Sequence, residues 1–336
     1  MKKLLALILV LTLVLAGCAP APVPSTPDDT DTQNPSGDVK PVTFNIASLK
    51  GPTTMGIVNL MNDTDNGTAK HDYKFTMYGK PDEITGLLAT GEVDVALIPC
   101  NLAAVLYQRL SGAVQIAGIN TLGVLYFVET GTGINSIGDL RGKTIYTTGK
   151  GTTPEFALNY VLSKNGIDPV IDVTIEFKSE STEVAAMLES GTDIIAMLPQ
   201  PYVATVMAKN ENVRICLDLT EEWEKASDDG SSIVTGVVCV RKEFIEANPE
   251  AFAQFMEDYK ISVDEVLANP DGAAALIGGY DIVPEAVAKK ALPYCNITLI
   301  TGAEMETKVK GYLTALYEQD PSAVGGNMPD EEIHIK

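Results

Sequence analysis

Between Thr147 and Leu162 the chain reads TTGKGTTPEFALNYVL, a glycine- and threonine-rich loop running into an amphipathic segment. Such a loop could cradle a negatively charged group with backbone N–H donors, hydroxyls and one ammonium. A nucleotide-binding P-loop is excluded. That motif needs a glycine five residues before Gly149, where Thr144 stands, and Ser or Thr after Lys150, where Gly151 stands. The loop also recurs. SLKGPTTMGIVNLM (48–61) lies over TGKGTTPEFALNYV (148–161) at an offset of 100, so Lys50, Gly51, Thr53 and Asn59 match Lys150, Gly151, Thr153 and Asn159.

The elements that position these loops repeat as well. EITGLLATGEVDVALIPCNLAAVL (83–106) aligns without a gap on EVAAMLESGTDIIAMLPQPYVATV (183–206), and YKFTMY (73–78) on VTIEFK (173–178). Each copy reads strand, Gly/Thr-rich loop, helix, strand, helix, Gly, strand, Pro-led loop, helix. The short apolar runs VDVALI and DIIAML suit strands buried in a parallel sheet. Strands alternating with helices predict βαβ crossovers. The fold class is therefore α/β, with two Rossmann-like lobes.

VQIAGI and LGVLYFV (114–128) extend the first lobe, and the glycine-rich segment 129–142 leads into the second. The second copy is complete after NVRICLDL (212–219). Beyond the acidic loop EEWEKASDDGSS, the run IVTGVVCVRKEF and a mainly helical segment from Glu243 return to the first lobe. The apolar positions Phe252, Phe255, Met256, Tyr259, Val263, Val266 and Leu267 mark one helix face there. This predicts a first lobe of residues 42–130 and 234–325, a second of 131–233, and a two-segment hinge near 129–135 and 228–236. Residues 326–336 are left as a flexible tail. Trp223, among acidic residues, is assigned to a surface helix.

Lys2 and Lys3 precede an apolar run from Leu4 to Ala16, too short to span a bilayer and suited to a signal-peptide core. It ends in LAGC, Leu15 to Cys18, which resembles a bacterial lipobox. Residues 1–17 are thus expected to be a lipoprotein signal peptide, with Cys18 diacylated. The Pro-, Ser-, Thr- and Asp-rich stretch up to Pro41 has too little apolar surface to fold and reads as a disordered tether. The expected location is extracytoplasmic, with membrane attachment through the lipid anchor alone.

A net charge of −21 and a pI near 4.4 argue against nucleic-acid partners. Two distant histidines, His71 and His334, and four mature cysteines without CxxC spacing argue against a zinc site. Cys100, Cys216, Cys239 and Cys295 read as buried thiols, with disulfides still open. No metal or cofactor is expected.

The phrases LKGPTTMGIVNLM, EITGLLATGEVDVALIP, SIGDLRGKTIYT, KGTTPEFALNYVLSKNGID and VVCVRKEFIEANPEAFAQFM carry a resemblance. They resemble the ABC-importer substrate-binding lipoproteins for aliphatic sulfonates, taurine, nitrate and thiamine-precursor pyrimidines, of the type II periplasmic-binding-protein fold. The resemblance covers residues 42–320. It implies a non-enzymatic protein that captures a small polar or anionic organic ligand between its lobes and passes it to a transmembrane permease. The rival class is an enzyme on the same fold, chorismate dehydratase-like or thiamine-pyrimidine synthase-like, which would not be expected to carry a lipobox. No GxSxG or HExxH motif is present.

In such lobes ligands sit off the carboxyl ends of the strands. That singles out Ser48, Lys50, Gly51, Thr53 and Thr54 from one lobe and Thr148, Lys150, Gly151, Thr152 and Thr153 from the other. Glycines let the backbone approach a ligand closely. Each threonine can cap its helix or touch the ligand, and each lysine can be a solvated charge or an anion clamp. The Pro-led loops add Asn101, Gln200 and Tyr202 as hydrogen-bonding or stacking groups, and Thr121 completes the set.

Overall fold

A computed structural model describes residues 41–335. The predicted leader, Cys18 and the tether up to residue 40 lie outside the described residues. The first copy begins with β1 (Thr43–Leu49), α1 (Pro52–Met55), α2 (Val58–Asp65) and β2 (Asp72–Tyr78). It continues through α3 (Pro81–Thr90), β3 (Val95–Pro99), α4 (Cys100–Arg109) and β4 (Val114–Leu122). After β5 (Leu125–Glu129), the second copy repeats the order. It runs β6 (Thr144–Thr147), α5 (Thr153–Lys164), β7 (Thr174–Phe177), α6 (Ser181–Ser190), β8 (Ile195–Pro199), α7 (Tyr202–Lys209) and β9 (Arg214–Asp218). The chain ends with α8 (Leu219–Ala226), β10 (Val234–Arg241), α9 (Lys242–Ala247), α10 (Pro249–Ala268), α11 (Pro270–Gly279), α12 (Glu285–Ala291), β11 (Ile297–Ile300) and α13 (Gly302–Gln319).

The local signals are ordinary ones. Proline opens α3, α10 and α11, where its missing N–H costs nothing. Gly91, at φ 80°, takes the left-handed conformation that stops α3.

Two sheets result. The first runs β11-β4-β10-β3-β1-β2 and the second β7-β6-β8-β5-β9. Set side by side, β2-β1-β3-β10-β4 and β7-β6-β8-β5-β9 have the same order, and in each the fourth strand runs antiparallel to its neighbours. Those fourth strands are exchanged: β5 leaves the first copy to enter the second sheet, and β10 makes the return journey.

The exchange corrects one expectation. Leu125 to Val128 belongs to the second sheet, paired with Ala196–Pro199, and does not extend the first lobe. The first crossing is therefore Gly123–Val124, upstream of the 129–135 segment. A short apolar run fits either sheet equally well, so only long-range pairing decides its place.

The C-terminal tail is a second correction. Over residues 326–335 it packs on the first sheet: His334 bridges to Ile116, the Ile335 N–H donates to the Ile116 carbonyl at 3.1 Å, and Ile333 is buried. Tyr107 donates to Asp330 and Gln115 to the Glu332 carbonyl. These backbone and tyrosine contacts could not be read from a short polar sequence.

Three apolar clusters fill the described residues. One covers the outer face of the first sheet under α2, α10, α11 and α12, and a small one lies under α6 and α7. The largest runs beneath both sheets, joined by α13, which packs on α4 of the first lobe and α5 of the second. Trp223 belongs to it, fully buried and stacked on Tyr160 at 3.7 Å with its indole N–H donating to Ser231; α8 is a surface helix, with Glu221, Glu224 and Lys225 exposed, and Trp223 is on its inner face. Leu267, by contrast, is largely exposed on α10. Cys100, Cys216, Cys239 and Cys295 are free; burial pushes the Cys216 thiol up to about 12.

Candidate functional site

In the first loop, β1 ends at Leu49 and Gly51 turns the chain at φ 132°, a conformation that glycine tolerates. No atom lies within 4 Å of where a Cβ on Gly51 would stand, so the turn faces open space. The hydroxyls behind it are committed. Thr53 and Thr54 both donate to the Leu49 carbonyl, and Thr54 lies 2.9 Å from Ser48 Oγ in a buried position. Lys50 reaches sideways to Asp281 at 2.7 Å, an exposed pair within the first lobe.

The second loop has the same plan. Gly149 and Gly151 take φ 79° and 73°, and a Cβ on Gly151 would again meet nothing. Thr148 lies 3.3 Å from Ser181 Oγ, and Thr152 donates to the Gly149 carbonyl at 2.6 Å. Lys150 sits over the Phe177 ring at 5.8 Å. The Gly151 N–H already donates to the Glu155 carboxylate. Thr153 faces Tyr312 of α13, whose hydroxyl is pushed up by burial and partly pulled back by Thr153.

The other two loops approach the seam between lobes differently. Asn101 donates to the Ala323 carbonyl at 3.3 Å, a contact within the first lobe. Gln200 is 3 % exposed; its Oε1 accepts the Ala204 N–H, while its Nε2 has no partner. Tyr202 is half-buried at the start of α7. Thr121 is buried on β4 with an unpartnered hydroxyl.

Around Thr121 stand residues that the loop argument missed. A Cβ on Gly236 of β10 would lie 2.4 Å from Asn120 Oδ1 and 2.6 Å from Thr53 Cγ2, so the three are packed face to face. Asn120 Oδ1 and the Tyr259 hydroxyl are buried and unpartnered there, and burial pushes that hydroxyl up. Beside the first crossing, Thr220 Oγ1 and Ser232 Oγ are likewise buried without partners. Buried polar groups are seldom left unmatched. Most of these orphans in the described residues therefore cluster where the chain passes between lobes. The visible signal was the polar pair Asn120–Thr121 interrupting a long apolar run.

Across the seam, the Tyr126 hydroxyl of β5 donates to the Tyr294 carbonyl at 2.9 Å, and Asn296 donates to the Gly123 carbonyl at 2.6 Å. Asp218, paired with Tyr126 in the β5–β9 register, has its carboxyl held above the usual range, chiefly by burial. A cavity of about 380 Å³ opens between α7 and the segment following α12. Among the described residues, no group of three or more His, Cys, Asp or Glu gathers as a metal site, and no helix is long and apolar enough to cross a membrane.

Residues 72–273 match the family described as NMT1, NMT1/THI5 like. The riboflavin-binding protein RibY of Chloroflexus aurantiacus is 26 % identical over 189 residues, 56 % of this chain and 47 % of that protein, so the match spans about half that relative's length. An ABC transporter structure from Parabacteroides distasonis superposes with a TM-score of 0.73 at 22 % identity, covering 88 % of this chain and 99 % of the other. The periplasmic aliphatic sulphonate binding protein SsuA of Escherichia coli gives 0.67 at 15 % identity, covering 85 % and 91 %. These likenesses show the type II periplasmic-binding-protein fold. With the family match spanning more than half of its length, the chain belongs to the NMT1/THI5-like family.

Proposed function

We propose that this protein is an extracytoplasmic solute-binding lipoprotein. It captures a small polar or anionic organic ligand (sulfonate, carboxylate or pyrimidine-like) between its lobes and delivers it to an ABC importer permease, without catalysing a reaction on it. One observation carries this reading: the two sheets trade β5 and β10, so the lobes are joined at the seam where both sets of strand ends meet. A double connection of that kind supports hinge closure around a ligand. Family membership agrees, as do the relatives named for riboflavin and aliphatic sulphonate.

The lipid anchor rests on Lys2, Lys3, the apolar run and LAGC. Ligand binding should lower the radius of gyration measured by solution scattering, and Cys18→Ser should abolish palmitate labelling and membrane retention. An unchanged radius at saturating ligand would overturn the closure mechanism, and a labelled Cys18→Ser chain would overturn the anchor.

A further inference from the structure

The seam cavity between α7 and α12 is built from both lobes: Gln200, Ala204 and Met207 on one side, Lys290, Pro293 and Tyr294 on the other. Its two side-chain nitrogen groups are both donors, and the Tyr294 hydroxyl can donate or accept. The Gln200 amide nitrogen is buried with no acceptor, while its Oε1 is already used by the Ala204 N–H. Lys290 contributes three donors and no acceptor. Its neighbour Lys289 is bridged to Asp271 and Glu285, whereas Lys290 has no ion-pair partner among the described residues. The rest of the lining is a phenol ring, a thioether, a proline and an alanine, which suit an organic body.

At the Gly151 loop, by contrast, the Gly151 N–H is already engaged by the Glu155 carboxylate. We infer that the ligand's oxyanion group is received in this seam cavity, held by the Gln200 amide and the Lys290 ammonium. This rests on the solute-binding reading and relocates the anion site from the Gly/Thr loops to the α7–α12 seam. An ion held by one residue from each lobe also couples binding to closure, since neither lobe alone presents both donors.

The test uses matched probes on the purified mature protein: nicotinate with nicotinamide, and ethanesulfonate with ethanesulfonamide, titrated by calorimetry. Each acid should bind more tightly than its neutral partner. Lys290→Gln should weaken the acids about ten-fold or more, as expected for a lost charge-assisted hydrogen bond, and leave the neutral probes within about two-fold. Gln200→Leu should weaken the acids less, and Lys289→Gln should change nothing. Equal binding of acids and neutral partners, or a silent Lys290→Gln, overturns the proposal while leaving the solute-binding reading intact. Failure of all four probes to bind overturns it as well. In that case, contraction in scattering with ligand extracted from the native host decides the solute-binding reading separately.

Discussion

The carboxylate of Glu155 accepts the backbone N–H of Gly151, four residues before it, at the start of α5. A helix N-terminus favours negative charge, and here the helix supplies its own. One N–H of the loop that most resembled an anion cradle is therefore engaged from within. Glu155→Gln should cost up to about 1 kcal/mol of stability in urea titration, the usual value of a first-turn carboxylate. It should leave acid-probe affinity within about two-fold. A marked tightening would mean that Glu155 had been competing with ligand for the loop, returning the anion site to Gly151.

How far the sequence reached can be judged from particular residues. The offset of 100 between Lys50-Gly51 and Lys150-Gly151 predicted the duplicated order of elements, because turns and amphipathic helices are written locally. It did not predict which sheet takes Leu125–Glu129. A five-residue apolar strand is compatible with any buried edge, and only pairing with β8 and β9 decides its place. The surface helix around Trp223 was legible, but the burial of the indole on its inner face was not, for a related reason. Its flanking Glu and Lys residues describe the exposed face of α8, while the opposite face finds Tyr160 from α5 and Tyr312 from α13, both distant in sequence. At the site, residue types were legible but partners were not: Thr53 and Thr54 cap the Leu49 carbonyl, and Lys50 is claimed by Asp281.

The C-terminal segment should respond to pH through His334. Its imidazole is buried and Nδ1 is unpartnered, and burial lowers its pKa. The charged groups around it are Glu306 and Glu331, which pull the pKa back up, and Lys310, which presses it down; burial outweighs them. The folded state thus binds fewer protons than the unfolded chain, whose histidine titrates at about 6.5. Stability is full above that pH and is lost as pH falls through the lower folded value. Hydrogen exchange of the peptide covering residues 326–335, corrected for intrinsic rates, should accelerate as pH falls below about 6.5. His334→Gln should flatten that response. Acid-independent protection in the wild-type chain would refute the linkage.

Two glycines separate steric from conformational roles. Gly236 lies on β10 with ordinary backbone angles but no room: the nearest atoms to an added Cβ are Asn120 Oδ1 at 2.4 Å and Thr53 Cγ2 at 2.6 Å. Gly236→Ala must push β10 away from β4 or drive the Asn120 side chain out, an overpacking cost of about 1–3 kcal/mol. Gly151 is the reverse case, with empty space around its Cβ position but φ at 73°. Gly151→Ala should therefore cost only the left-handed penalty, about 1–2 kcal/mol, and the exposed loop can relax part of it. The functional consequences should also differ. Gly236 holds Asn120 and Thr121 beside the crossing, so its alanine variant should alter closure and weaken every probe, acid or neutral. Gly151→Ala should leave the acid-to-neutral preference unchanged, because that preference is set at Lys290. Urea titrations with matched calorimetry distinguish the two. If Gly151→Ala abolishes the acid preference while Gly236→Ala binds like wild type, the ligand head lies at the Gly/Thr loops and the polar crossing is only structural.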